Sequence, residues 1–207
     1  IRLPFNFNSP YRALNIQDFW KRWHMTLTRF LRDYIYIPMG GNRKTEIHTY
    51  GNLMATFLIG GLWHGGSMTF LAWGFCHGFA MWLHRLWGTF NIKMNKFLAW
   101  LITFLFINTT WVLFRAETWL DAIKVLQPMW GFDGVNFMIY EYFPDIGLQY
   151  FAFLVVATIL FSAVGRNSNS HLDSFQFNKA TLTLFALLFG IGFANIGSQT
   201  EFLYFAF

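Results

Sequence analysis

Charge is scarce in this sequence: of 207 residues only 12% are Asp, Glu, Lys or Arg, too few to coat a soluble globule of that size. Cysteine is scarcer still. The single Cys76 excludes an internal disulfide, and with no electropositive neighbour in sequence it reads as a packed, inert thiol rather than an acyl carrier. Histidine pairs at i, i+4, cysteine pairs and acids inside the apolar runs are all missing, so no metal site is expected. No acid stands by to orient Ser67, the only hydroxyl helically placed beside His64, which argues against nucleophilic hydrolysis. The chain starts at Ile1 rather than Met and carries no signal peptide, an opening expected of a segment taken from inside a longer protein.

Apolar and aromatic residues are abundant, at 55% and 22%. Four stretches, Leu53 to Leu83, Phe97 to Phe114, Gly147 to Val164 and Ala180 to Ile196, are nearly free of charge and about long enough to cross a hydrocarbon core. The expected fold is therefore all-α: a polytopic transmembrane helix bundle with interfacial amphipathic helices. Residues 1–49 are read as a cytoplasmic interfacial segment and 50–207 as spans and loops, together the C-terminal part of one membrane domain.

The net charge of +5 is unevenly placed. Residues 1–49 hold eight of the fifteen Lys and Arg against three acids, a cytoplasmic signature under the positive-inside rule. Arg85, Lys93 and Lys96 mark a second cytoplasmic segment, whereas Arg115 to Asp145, with five acids and two bases, is expected to face out. The bases alternate with Trp and Phe at helical spacing and form no groove-tracking run, which excludes nucleic acid as a partner.

Two prolines hold Pro4 to Arg12 extended, and Asn15 or Asp18 then caps a helix running to about Tyr34. Phe19, Trp20, Trp23, Leu27, Phe30 and Leu31 form its apolar stripe, so it is expected to lie along the cytoplasmic headgroups. Pro38 to Lys44 reads as a glycine turn rather than an anion site. Asn52 to His84 is an awkward length, too long for one upright helix and too short for two helices plus a turn; a broken or tilted central helix is expected, with the break between Gly60-Gly61 and Gly65-Gly66. Gly61/Gly65 and Gly74/Gly78 are small-xxx-small pairs suited to close helix approach. Trp119, Leu120, Ile123, Leu126 and Trp130 predict a short amphipathic helix. The stretch from there to Asp145, Arg166 to Lys179 and Phe202 to Phe207 read as loop, polar loop and packed apolar tail.

His64 is the leading candidate for chemistry. Counted from Asn52, twelve residues of helix carry it about 18 Å into the layer, where an ionisable side chain is a functional candidate by default. A neutral imidazole in a low-dielectric, partly wet pocket can act as general base toward a hydroxyl attacking an acyl carbon. His24 is the second candidate. His77 and His84 read as structural, and Trp63, Asn108 and Thr109 as candidate walls of a substrate tunnel. A channel or transporter scaffold would also place glycine and histidine at mid-membrane, but it would be expected to show inverted repeats, and none is visible.

The run Asp18-Phe19-Trp20-Lys21-Arg22-Trp23-His24-Met25-Thr26-Leu27 with Phe30-Leu31-Arg32-Asp33-Tyr34, followed by Gly60-Gly61-Leu62-Trp63-His64-Gly65, resembles the two signature segments of the membrane-bound O-acyltransferase family in its bacterial branch of alginate O-acetylases and teichoic acid D-alanyl transferases. Phe7 to Tyr11, Ile37 to Arg43 and Phe202 to Phe205 are similar to the alginate O-acetylase group. The resemblance implies that His64 matches the catalytic histidine and His24 the second histidine of this branch. It also implies a multi-pass protein of the bacterial inner membrane, contacting lipid and pierced by a tunnel. The substrates would be a cytoplasmic acyl donor such as acetyl-CoA or an acyl carrier, with no bound cofactor, and hydroxyls of an exported polysaccharide. An extracytoplasmic acetyltransferase is the expected partner. An alginate-like polymer is the leading expected acceptor, with peptidoglycan O-acylation or D-alanyl transfer by the same mechanism as alternatives.

Overall fold

The computed structural model describes residues 3–132, 152–158, 167, 169 and 176–194, and every regular element among them is helical. The chain divides into two compact units, residues 1–165 and 166–207.

In the first unit, α1 (Ile16–Trp20) opens on Asn15, whose Oδ1 accepts from the Asp18 amide at 2.8 Å. The helix predicted to run on to Tyr34 stops after Trp20 and restarts as α2 (Met25–Leu31), which passes into a π-helical turn, Arg32–Tyr36. Much of the stripe expected to lie on headgroups is taken up by protein instead: Phe19 and Trp20 are buried in the same core as Phe57, Trp73 and Ile107, and Leu27 and Leu31 are buried too, while Phe30 stays exposed. The predicted glycine turn is present, with Gly40 and Gly41 at φ 111° and 56°, and Asn52 Nδ2 donates to the Gly41 carbonyl at 2.9 Å.

The central stretch breaks where the glycines indicated, but into two full helices. α3 (Glu46–His64) and α4 (Met68–Thr89) are 19 and 22 residues long, or about 28 and 33 Å. The expected shortage of length disappears because α3 begins six residues before Asn52 and α4 runs five residues beyond His84. Ser67 caps α4, its Oγ accepting from the Phe70 amide at 3.4 Å. The helices pack backbone to backbone. A Cβ on Gly61 would collide with the Phe70 carbonyl and one on Gly74 with the Phe57 carbonyl, while on Gly78 it would meet Met54 Sδ at 2.9 Å. Gly65, expected in the helix contact, instead lies under the Phe70 ring.

Asn95 caps α5 (Lys96–Arg115), accepting from the Phe97 and Leu98 amides at 2.8 and 3.3 Å. Trp100 Nε1 ties α5 to the Tyr11 carbonyl at 2.8 Å, and Thr69 Oγ1 on α4 donates to the Ala116 carbonyl at 3.0 Å. The predicted amphipathic helix is α6 (Trp119–Met129), capped by Thr118 and buried at Ala122. Among the described residues α5 is the one helix that is long and apolar enough by itself to cross a membrane, with a mean hydropathy of 1.9. Ile59, Phe75, Phe79, Leu83, Ile102 and Leu105 on α3 to α5 are exposed, a run of large apolar side chains that water does not suit.

Residues 152–158 are helical and the remainder of the span expected over Gly147 to Val164 lies outside the described residues, as do the segment 133–145 and the tail Phe202 to Phe207. Most of the polar loop expected from Arg166 to Lys179 does too. In the second unit the expected span over Ala180 to Ile196 corresponds to α7 (Lys179–Ala194), an apolar helix of 16 residues. Its start is closed by a reciprocal pair, Thr181 amide to Asn178 Oδ1 and Asn178 amide to Thr181 Oγ1, both 3.0 Å.

Candidate functional site

His64 is the last residue of α3, where the chain leaves the helix through Gly65 in extended conformation. Its ring is half-buried among aromatics: Trp63 and Phe114 at centroid distances of 4.8 Å, Trp73 at 5.5 Å and Phe70 at 6.2 Å. The glycine that follows makes this packing possible, because a Cβ on Gly65 would stand 2.6 Å from the Phe70 ring. No side-chain hydrogen bond among the described residues involves the His64 ring, so its nitrogens are not committed to another side chain there.

His24 is placed by a break rather than by a helix face. It occupies the N-cap of α2 with φ 41°, a left-handed conformation that histidine tolerates better than most residues but that still stores strain. The first three amides of α2, which have no helical partner, are all satisfied locally. Met25 donates to the Asn6 carbonyl at 2.9 Å, Thr26 to Asn6 Oδ1 at 3.1 Å, and Leu27 to His24 Nδ1 at 3.4 Å. Asn8 pairs with the Arg22 carbonyl at 2.9 Å, so the extended N-terminal segment clamps both sides of the break. Because Nδ1 accepts, the neutral ring carries its hydrogen on Nε2. Burial holds His24 below the ordinary imidazole range, against a smaller opposing effect of the backbone hydrogen bond.

Aromatic rings connect the two histidines. His24 lies against Phe7 at 6.3 Å, Phe7 against Trp23 at 4.9 Å, Trp23 against Trp111 at 4.8 Å, Trp111 against Phe114 at 5.6 Å, and Phe114 against His64.

Two cavities flank this aromatic core. One of about 680 Å³ is lined by Trp111, Arg115, Glu117 and Asp121 at the end of α5 and start of α6. The other, about 560 Å³, lies between α1, α2, α3 and α4, with Trp20 and Phe57 at apolar positions and Lys21, Arg32, His84 and Arg85 among its polar ones. His64 is not among the lining residues of either.

Of the expected tunnel residues, Trp63 touches His64 but is 61% exposed. Asn108 and Thr109 are not brought to His64 by any contact described: Asn108 Nδ2 donates to the Phe104 carbonyl at 2.8 Å and Thr109 Oγ1 to the Leu105 carbonyl at 2.9 Å, both within α5. Sequence reasoning passed over Phe114, Trp73 and Trp111, which surround or adjoin the histidines, since an aromatic on an apolar helix carries no mark of its partner.

Residues 2–116 match the sequence model of the membrane-bound O-acyltransferase family. The chain is 45% identical to the Peptidoglycan O-acetyltransferase of Helicobacter pylori over 228 aligned residues, covering 100% of this chain and 43% of that protein. It is 44% identical to the Probable alginate O-acetylase AlgI of Pseudomonas aeruginosa over 61% of this chain and 25% of the relative. It is 31% identical to the Teichoic acid D-alanyltransferase of Bacillus subtilis over 49% and 26% respectively. The chain thus spans less than half the length of these curated relatives. With the family's pattern running from the N-terminal clamp through both histidines to the end of α5, the chain belongs to the membrane-bound O-acyltransferase family.

Proposed function

We propose that the full protein containing this chain transfers an acetyl group from a cytoplasmic donor to hydroxyls of an exported glycan, with His64 as general base and His24 assisting. The observation that supports this reading is the placement of His64: a half-buried imidazole at a helix end, with no side-chain hydrogen bond among the described residues and linked through aromatic rings to a second histidine. An unencumbered ring nitrogen can take the proton from an attacking alcohol. His24, whose Nδ1 is occupied by the Leu27 amide, has an Nε2–H to offer and so suits the role of donor to an oxygen rather than that of base.

The two cavities favour access from two sides. A cleft bearing Lys21, Arg32 and Arg85 suits a phosphate-rich donor such as acetyl-CoA, and one bearing Trp111, Arg115, Glu117 and Asp121 suits the hydroxyls and apolar ring faces of a sugar. Peptidoglycan is the favoured acceptor over an alginate-like polymer, because similarity to the peptidoglycan enzyme extends over the whole chain and similarity to the alginate enzyme over 61% of it. We place the protein in the bacterial inner membrane as a multi-pass bundle, working with an extracytoplasmic acetyltransferase. D-alanyl transfer by the same chemistry is the second reading, supported by the weaker 31% match.

The test is His64→Ala in the full-length protein. Loss of polymer acetylation with normal membrane abundance is expected; acetylation at the native level would overturn the assignment. Saponified acetate released from purified peptidoglycan, against that from soluble exported polysaccharide, decides the acceptor.

A further inference from the structure

Two N–H groups on α4 are buried and find no acceptor among the described residues. His77, 1% exposed, is packed among the rings of Phe19, Trp20, Phe57, Trp73 and Phe106. Its Nδ1 accepts from Trp20 Nε1 at 3.2 Å, which places the hydrogen of the neutral ring on Nε2. That Nε2 has no partner among the described residues. One turn earlier on the same face, Trp73 is 3% exposed, and its Nε1 is likewise buried and unpartnered. The two rings stand 4.7 Å apart, and the Trp73 ring meets His64 edge-on at 5.5 Å.

An unmet buried donor is costly, at about 1–3 kcal/mol each, and two on adjacent turns beside the candidate base call for a common explanation. Both groups are donors, so their proper partner is an acceptor. Water fits poorly: it would bring two hydrogens of its own into a wall made of ring carbons, where it needs further polar partners. A carbonyl oxygen has two lone pairs and no hydrogen to place.

We propose that Trp73 Nε1–H and His77 Nε2–H form the binding site for the acyl carbonyl oxygen of the donor, a refinement that rests on the acyl-transfer reading above. In the step they serve, the acceptor hydroxyl oxygen bonds to the acyl carbon and gives its proton to His64. The carbonyl π pair moves onto the oxygen held by the two N–H groups. Collapse of that intermediate restores the carbonyl, breaks the carbon–sulfur bond of the thioester and expels a thiolate, which takes the proton from His64 and leaves as thiol. Donors aimed at the oxygen stabilise the charge it carries midway.

The experiment uses the full-length protein in inverted inner-membrane vesicles supplied with labelled acetyl-CoA, reading label in polymer. Trp73→Phe keeps an aromatic ring while removing the N–H together with part of the buried indole. Trp20→Phe/His77→Phe removes both polar ends of the buried pair, so that no indole is newly orphaned, and His77→Gln keeps a donor and an acceptor. The expected result is a fall in kcat of about 100-fold for Trp73→Phe and for the double variant, KM for acetyl-CoA little changed, and substantial recovery in His77→Gln. Unchanged kcat in both, whatever the change in melting temperature, is what merely structural buried rings produce, and it would overturn the site. The double variant decides alone if Trp73→Phe does not reach the membrane. A dead His64→Ala beside a fully active Trp73→Phe and double variant defeats the oxygen site and leaves acyl transfer standing. An active His64→Ala defeats the transfer reading itself.

Discussion

Arg85 and Glu46, thirty-nine residues apart, join the open end of the α3–α4 hairpin through two hydrogen bonds, Nε to Oε2 at 2.9 Å and Nη2 to Oε1 at 2.7 Å. The pair lies at the opposite end of α3 from His64 and holds the Glu46 carboxyl below the usual carboxylate range, chiefly by the hydrogen bonds from Arg85.

Because its folded value is lowered, the Glu46 contribution is complete above the ordinary carboxylate range and fades as pH falls through that lowered value. Glu46→Gln is therefore expected to melt slightly below the parent near neutral pH and to match it in strong acid. The pair is exposed, so the gap is small and shrinks with added salt. Melting in detergent at several pH values checks this.

Glycine substitutions in the hairpin are expected to differ in sign. Gly74→Ala and Gly61→Ala drive a Cβ into a facing backbone carbonyl that no rotamer can move, and each is expected to cost about 3 kcal/mol. Gly51→Ala, which meets nothing within 4 Å, is expected to stabilise α3 by about 0.5–1 kcal/mol. Thermal melts of the three variants test the prediction, and a neutral Gly74→Ala would contradict it.

At His24 stability and activity are expected to separate. Asn adopts the left-handed conformation and caps a helix, so His24→Asn is expected to fold as well as the parent, while His24→Ala loses about 1 kcal/mol with the cap. Both are expected to lose most acetyl transfer. As pH falls through the lowered value of His24, a proton on Nδ1 ends its role as acceptor. The parent but not His24→Asn is then expected to lose melting temperature.

Much of the hairpin was legible because its signals are local: glycines mark both the break and the contact, and Asn15 caps α1 by accepting from the Asp18 amide; the caps at Ser67, Asn95 and Thr118 went unread. The interruption at His24 was not legible, since Phe19, Trp20, Trp23, Leu27 and Leu31 keep helical phase across it. What breaks the helix is Asn6, a residue twenty positions before Thr26 that supplies the acceptors the new helix start requires. Periodicity also records that a stripe is apolar without saying whether lipid or protein covers it, so the burial of Phe19 and Trp20 among α3 to α5 was out of reach. Asn108 and Thr109 misled for a related reason: a polar side chain in an apolar helix can satisfy itself on the preceding turn and need no cavity.

The direct contact of backbones at Gly61, Gly74 and Gly78 leaves α3 and α4 no room to slide or pivot against one another. His64, Trp73 and His77 therefore sit on one closely packed pair of helices, with Trp73 between the two histidines. The aromatic core is closed by the elements leaning on that pair, α1 with its Trp20 indole on one flank and α5 with Phe114 and Trp111 on the other.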